Sequence, residues 1–185
     1  MHTATQAAPA QASRRGTRDA SVAMWPAIAA WGAGLVQLAL GAGAVTGSSG
    51  QPAGLPLIAL GLLALAWGAW ALARGRVIAP RAGVAGVLAG LVSGAVALSI
   101  DPARTSVVAM AAASALLIAV AIGCGRALRA KDRATDASKP GLAGIFIGAV
   151  LVAAIVTPAL GATEAGRLAP DHSVHGGVIE DPHHH

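Results

Sequence analysis

Residues 106–124 read SVVAMAAASALLIAVAIGC, nineteen positions without an Asp, Glu, Lys, Arg or His. Residues 125–133 follow as GRALRAKDR, with four cations in nine positions. An α-helix rises about 1.5 Å per residue, so roughly 20 apolar residues cross the ~30 Å of hydrocarbon in a bilayer. The run is long enough to cross, and its cations fall where lipid headgroups would lie. Four more windows have the same character: Val22–Val45, Leu55–Ala73, Ala82–Ile100 and Leu142–Leu160, all free of ionisable side chains other than Cys124 at the end of the first-quoted run. A soluble helix keeps a polar face, and a membrane β-strand alternates over about 10 residues. These continuous runs of Ala, Leu, Val and Gly do neither, so they read as spanning helices.

Composition agrees. The chain has 185 residues, 55% of them hydrophobic and only 11% charged. Soluble domains carry about 25% charged residues. Scarce charge excludes a disordered chain, and 24 glycines without a strict period exclude a collagen-like one. A single cysteine excludes a disulfide scaffold. The expected fold class is an all-α integral membrane protein, a bundle of five transmembrane helices with short loops. Residues 1–20 read as an N-terminal tail, 21–163 as the five-helix transmembrane domain, and 164–185 as a tail rich in His and acids.

The cations set an orientation. Arg14, Arg15 and Arg18 precede the first span, Arg74, Arg76 and Arg81 join the second to the third, and Arg126, Arg129, Lys131, Arg133 and Lys139 join the fourth to the fifth. Only Arg104 and Arg167 fall on the other side. Short loops with this bias follow the positive-inside rule, which puts the N-terminus in the cytoplasm and the C-terminus outside a plasma membrane. The basic balance is thus a topology signal, and no nucleic-acid partner is expected. Ser13-Arg14-Arg15 invites comparison with a twin-arginine signal, but Gly16-Thr17 stands where bulky apolar residues are usual. The run that follows also exceeds a signal-peptide core of about 7–15 residues, so the first span is expected to remain in place.

Short loops predict antiparallel neighbours. Asp101-Pro102 predicts a helix cap followed by proline in the first turn, starting the fourth span. Small residues recur every four positions at Gly86, Gly90 and Gly94, at Ala111, Ala115, Ala119 and Gly123, and at Gly144 and Gly148. Such stripes let helix backbones approach closely. Trp25, Trp67 and Trp70 lie near the cytoplasmic ends of spans and read as interface anchors, whereas Trp31 lies deeper and reads as packed between helices. Thr157-Pro158 predicts a kink in the fifth span.

The spans offer little chemistry. Proton-coupled carriers keep a titratable group at membrane depth, and here the polar residues are Gln37, a few Ser and Thr, and Cys124. Gln37 reads as an interhelical contact or, less simply, as a contact to a pore or ligand. Cys124 reads as a small packing residue. Intramembrane haem ligation is excluded, because no span contains a histidine. Phosphate-loop, nucleophile-elbow and HExxH patterns do not occur.

The last 22 residues differ. They hold Glu164, Asp171, Glu180 and Asp181 with His172, His175, His183, His184 and His185. His172 and His175, followed by Gly176-Gly177, suit two imidazoles on one ion, with Asp171 or Glu164 supplying oxygen. Imidazole with carboxylate fits Cu²⁺ or Zn²⁺, and no thiolate is there to select Cu⁺. His183, His184 and His185 form a terminal run of the kind appended for purification, so the reading rests on His172 and His175.

The ending Thr157-Pro158-Ala159-Leu160-Gly161-Ala162-Thr163-Glu164-Ala165-Gly166, before a His-containing tail, resembles uncharacterised small multispan membrane proteins of high-GC actinobacteria. Eleven Arg against two Lys fits a GC-rich genome. The resemblance implies a setting and carries no activity. The function expected is that of a non-enzymatic accessory or scaffold protein of the plasma membrane, beside a larger membrane complex, whose outer tail handles Cu or Zn ions. The alternative is a small oligomeric channel or transporter, with glycine stripes as subunit contacts and Gln37 facing the pathway.

Overall fold

Ala, Leu and Met favour helix, and the β-branched Val and Ile are tolerated wherever packing rewards them. In the computed structural model, which describes residues 8–46, 54–130 and 142–167, every such run is helical: α1 (Ala8–Thr46), α2 (Gly54–Arg74), α3 (Pro80–Ile100), α4 (Val107–Ala130), α5 (Leu142–Gly161) and the single turn α6 (Glu164–Arg167). There is no strand among the described residues. Five helices are long and apolar enough to cross a membrane, over Met24–Thr46, Gly54–Arg74, Pro80–Ile100, Val107–Arg129 and Leu142–Gly161. These bounds lie within a few residues of those read from the sequence. α1 starts fourteen positions earlier than its apolar run, so part of the segment read as an N-terminal tail is helix.

Around α1 the other helices gather. Its apolar window is 61% buried, against 17% for α5. α2 lies antiparallel to it in a fixed register. A Cβ on Gly61 would stand 2.8 Å from the Gly34 carbonyl oxygen, one on Gly54 would stand 2.5 Å from the Gly41 carbonyl oxygen, and one on Gly68 would stand 2.8 Å from the Ala27 carbonyl oxygen. The small residues thus pair at seven-residue steps on both helices, two turns apart each time. Only residues without side-chain bulk let the two backbones meet this closely. α4 is also antiparallel to α1, with the Pro26 ring pressed into the space above Gly123 and Leu116 reaching Gly32. α5 runs parallel to α1, since Ile28 meets Gly148 and Val152 and Val156 meet Gly32. α3 packs on α4 and, less extensively, on α2.

The connections explain two departures from expectation. Asp101 ends α3 and caps a turn rather than starting α4: its Oδ1 accepts from the Arg104 backbone N–H at 3.2 Å, and its carbonyl accepts from Thr105 N–H at 3.1 Å. Ser106 is the helix cap, its Oγ accepting from Ala109 N–H at 3.2 Å. The α2–α3 connection turns through Gly75 (φ 63°) and Ala79 (φ 43°), with Pro80 opening α3. At the far end, Thr163 caps α6, taking an N–H from Gly166 at 3.1 Å and donating to the Leu160 carbonyl at 2.7 Å.

The small-residue stripes divide. Gly90 and Gly94 of α3 face inward, yet what fills the space above them is side chains (Gln37 and Leu117, and Met110), not a backbone. Ala111 and Ala115 of α4 are exposed, and that helix buries Ala109, Ala113, Leu117, Val120 and Cys124 instead. The contact face of α4 lies where its larger Leu and Val fill the core, which a search for small residues alone passes over.

Candidate functional site

The charges frame the bundle. Arg74, Arg76, Arg81, Arg126 and Arg129 lie at the end shared by the C-termini of α2 and α4 and the start of α3, whereas Asp101, Arg104, Glu164 and Arg167 lie at the other. Between them, no described residue carries a charged side chain. Five cations at one end against two cations and two acids at the other is a strong asymmetry across a short distance.

Inside this frame lies a cleft of about 240 Å³, between α2 and α3 and backed by α1 and α4. It spans Ala30 to Gln37 along α1, which is roughly 10 Å at the helical rise. Leu63 and Gly86 sit exposed at its rim, while Leu117, Val120 and Gln37 form the buried back wall. The α2–α3 contact is looser than that of α1 with α2, and this looseness is what opens the cleft. Gly86 contributes directly: a Cβ there would meet nothing within 4 Å, so the missing side chain is part of the space.

Gln37 is the polar group of the wall whose hydrogen-bonding capacity is unspent. It is only 2% exposed as a residue, and since no sealed side-chain polar atom among the described residues lacks a partner, its amide, which shows no hydrogen bond to a described residue, opens on the cleft. A Cβ on Gly90 would stand 2.6 Å from Gln37 Nε2, so that nitrogen occupies the room the glycine leaves on α3. Trp67 forms the side of the cleft toward the arginine-rich end. Its indole N–H donates to the Ile78 carbonyl at 2.9 Å, which ties the ring to the α2–α3 connection and leaves its carbon edge beside Gly83. Of the tryptophans read as interface anchors, Trp70 fits: it is exposed and carries the Arg74 guanidinium 5.5 Å from its ring centre. Trp67 instead turns inward. Trp31, read as packed between helices, covers Gly68 with one edge and is 44% exposed.

Cys124 is fully buried, its Sγ filling the space above Gly83. That agrees with a packing role.

Of the candidate metal ligands, Glu164 is the first residue of the single turn α6, and its Cβ lies over Gly43 of α1. Asp171, His172 and His175 lie outside the described residues. Among the described residues, no group of three or more His, Cys, Asp or Glu comes together in a way that would hold a metal ion.

Gly86 and Trp67 are functional candidates that a search of the sequence for titratable groups and metal ligands passes over, because neither titrates. The seven-residue recurrence of glycine at 34 and 41 and at 54, 61 and 68 was available as a signal for how α1 and α2 fit. No protein-family model matches the chain, and no curated protein or solved structure matches it significantly.

Proposed function

We propose that this chain is a multi-pass protein of the plasma membrane with its N-terminus in the cytoplasm, acting without catalysis as an accessory or scaffold subunit beside a larger membrane complex. The observation that carries this reading is the distribution of charge. Ionisable side chains other than Cys124 stay at the two ends of the described bundle, five arginines mark one end, and large apolar side chains such as Leu63, Leu88, Val108 and Phe146 face outward between them. A helix bundle with an apolar exterior needs an apolar solvent, and short flanking segments rich in arginine stay on the cytoplasmic side.

The outer tail adds a second activity to this reading, the weak binding of Cu²⁺ or Zn²⁺ by His172 and His175 with Asp171 or Glu164. Its support is the composition of residues 164–185, and α6 fixes Glu164 at the point where the tail leaves the bundle. The alternative is a small oligomeric channel or transporter, with the glycine stripes as subunit contacts and Gln37 facing the pathway; of the α3 stripe, Gly90 and Gly94 face inward and Gly86 is exposed.

Co-purification separates the two. Solubilised in a mild detergent from its native membrane, an accessory subunit brings down a larger partner in fixed ratio. A preparation holding copies of this chain alone, in a defined homo-oligomer, would favour the channel and sink the accessory reading.

A further inference from the structure

We propose that the cleft between α2 and α3 is a binding site for a neutral, hydrocarbon-soluble molecule bearing one hydrogen-bonding oxygen, of the aliphatic ketone or alcohol class, with the Gln37 amide as its polar contact. The proposal rests on the membrane reading above for the route by which such a molecule arrives, since the Leu63–Gly86 rim then opens sideways into lipid.

The chemistry of the wall selects the class. A primary amide offers two donors and one acceptor, and leaving them facing hydrocarbon without partners is unfavourable. Gln37 shows no partner among the described residues, and its amide is not sealed in but reaches the open space. A buried water needs two to four polar partners, and Gln37 is the only side chain of the lining with free polar atoms, Trp67 having committed its N–H to Ile78. Water is therefore a poor occupant. A charged molecule is a worse one, because no opposite charge lies along the cleft. A molecule that is apolar over most of its length and carries a single oxygen satisfies both the hydrocarbon wall and the amide. The cleft is smaller than the roughly 300–1,000 Å³ sites that hold drug-sized ligands, so the occupant is short or inserts only one chain.

Composition supplies a clean probe. The chain has no asparagine and four glutamines, Gln6, Gln11, Gln37 and Gln51, so a ¹⁵N spectrum contains four side-chain carboxamide pairs. The experiment titrates the ¹⁵N-labelled full chain in detergent micelles with 2-octanone and, in parallel, with n-octane. Gln37 is assigned through Gln37→Leu, and independently by elimination through Gln6→Ala, Gln11→Ala and Gln51→Ala. The expected result is a saturable shift of the Gln37 pair with the ketone, the other three pairs staying still. One net hydrogen bond corresponds to roughly 2–10-fold tighter binding of the ketone than of the alkane. Gly86→Leu, whose Cβ starts in open space at the cleft rim, should narrow the cleft, abolish the shift and leave the remaining spectrum intact. A Gln37 pair that ignores the ketone, or responds equally to octane, overturns the proposal in the wild-type chain alone. A shift that survives Gly86→Leu in a folded chain overturns it as well. Alkaline washing of the native membranes tests the membrane reading separately: release of the chain into the wash would overturn that reading, while the micelle titration still decides the cleft.

Discussion

Gly34 and Gly61 face each other so closely that a Cβ built on either would lie 2.8 Å from the carbonyl oxygen of the other. The contact is reciprocal and between backbones, so neither side can yield by turning a side chain. Gly61→Ala is therefore expected to destabilise the bundle, by about 1–3 kcal/mol as for other overpacked interiors. Gly86→Ala, in open space, should be neutral or stabilising by up to about 1 kcal/mol, the helix preference of alanine over glycine. Thermal unfolding of both variants in one detergent checks the pair. Equal melting temperatures would mean that α1 and α2 do not meet through their glycines.

Gly90→Leu should also lower stability, through a different route. The new side chain meets Gln37 Nε2 and the nearer Leu117 methyl, which sit 2.6 Å and 3.0 Å from the position of its Cβ. Because the glycine faces the interior, the oligomeric state should not change. Size-exclusion chromatography with light scattering, beside a melting curve, separates the two quantities. A change of oligomeric state at unchanged stability would place Gly90 at a subunit contact instead.

The spans were legible because hydrocarbon solvation acts on each residue separately: an 18-residue window without charge says the same thing whatever its neighbours are. Packing is a property of pairs, and it was only partly legible. Gly90 and Gly94 stood out at four-residue spacing and do face inward, but Ala111 and Ala115 stood out equally and face outward. The α1–α2 contact repeats every seven residues on each helix; the glycines show that period in the sequence, but which helix they meet appears only when the two are laid side by side. Asp101-Pro102 looked like the start of α4 because a cap is a local feature, and the same local chemistry closes the turn before Ser106. Of the cleft, Gln37 was visible as an isolated amide. Its openness comes from a missing side chain at Gly86 and an indole drawn toward Ile78, which depend on three helices at once.

Topology has its own test. Reporter fusions after Arg76 and after Lys139 should report cytoplasm, and fusions after Gly50 and after Gly166 should report the outside. A cytoplasmic report after Gly166 would mean that one of the five apolar helices does not cross.

For the tail, the peptide from Glu164 to Pro182 is expected to bind Cu²⁺ or Zn²⁺ weakly. Ordering each residue around an ion costs roughly 1–2 kcal/mol, which a preformed site would avoid. Protons compete for imidazole near its ordinary pKa of about 6.5. Binding should therefore be strongest at about pH 7.5 and be lost as pH falls toward about 5.5, the neutral ring being the ligand. Calorimetric titration at the two pH values checks the sign. If this peptide binds nothing while the tail through His185 does, the affinity belongs to the terminal three histidines.

α1, the most enclosed of the five long helices, is also the first to be synthesised. At roughly 5–20 residues per second, the ribosome needs about 6–23 s to pass from the end of α1 to the end of α5. Within that interval Gln37 waits for α3 and α4 to bring Gly90 and Leu117 beside it, and Gly32 waits almost to its end for Val152 and Val156. Only the glycine pairing with α2 is on hand early, so the α1–α2 hairpin must serve as the template onto which later segments dock. A chaperone or translocase that shields nascent helices would find its longest task at α1, and truncations that end before α4 should be the forms of this chain most rapidly degraded in the cell.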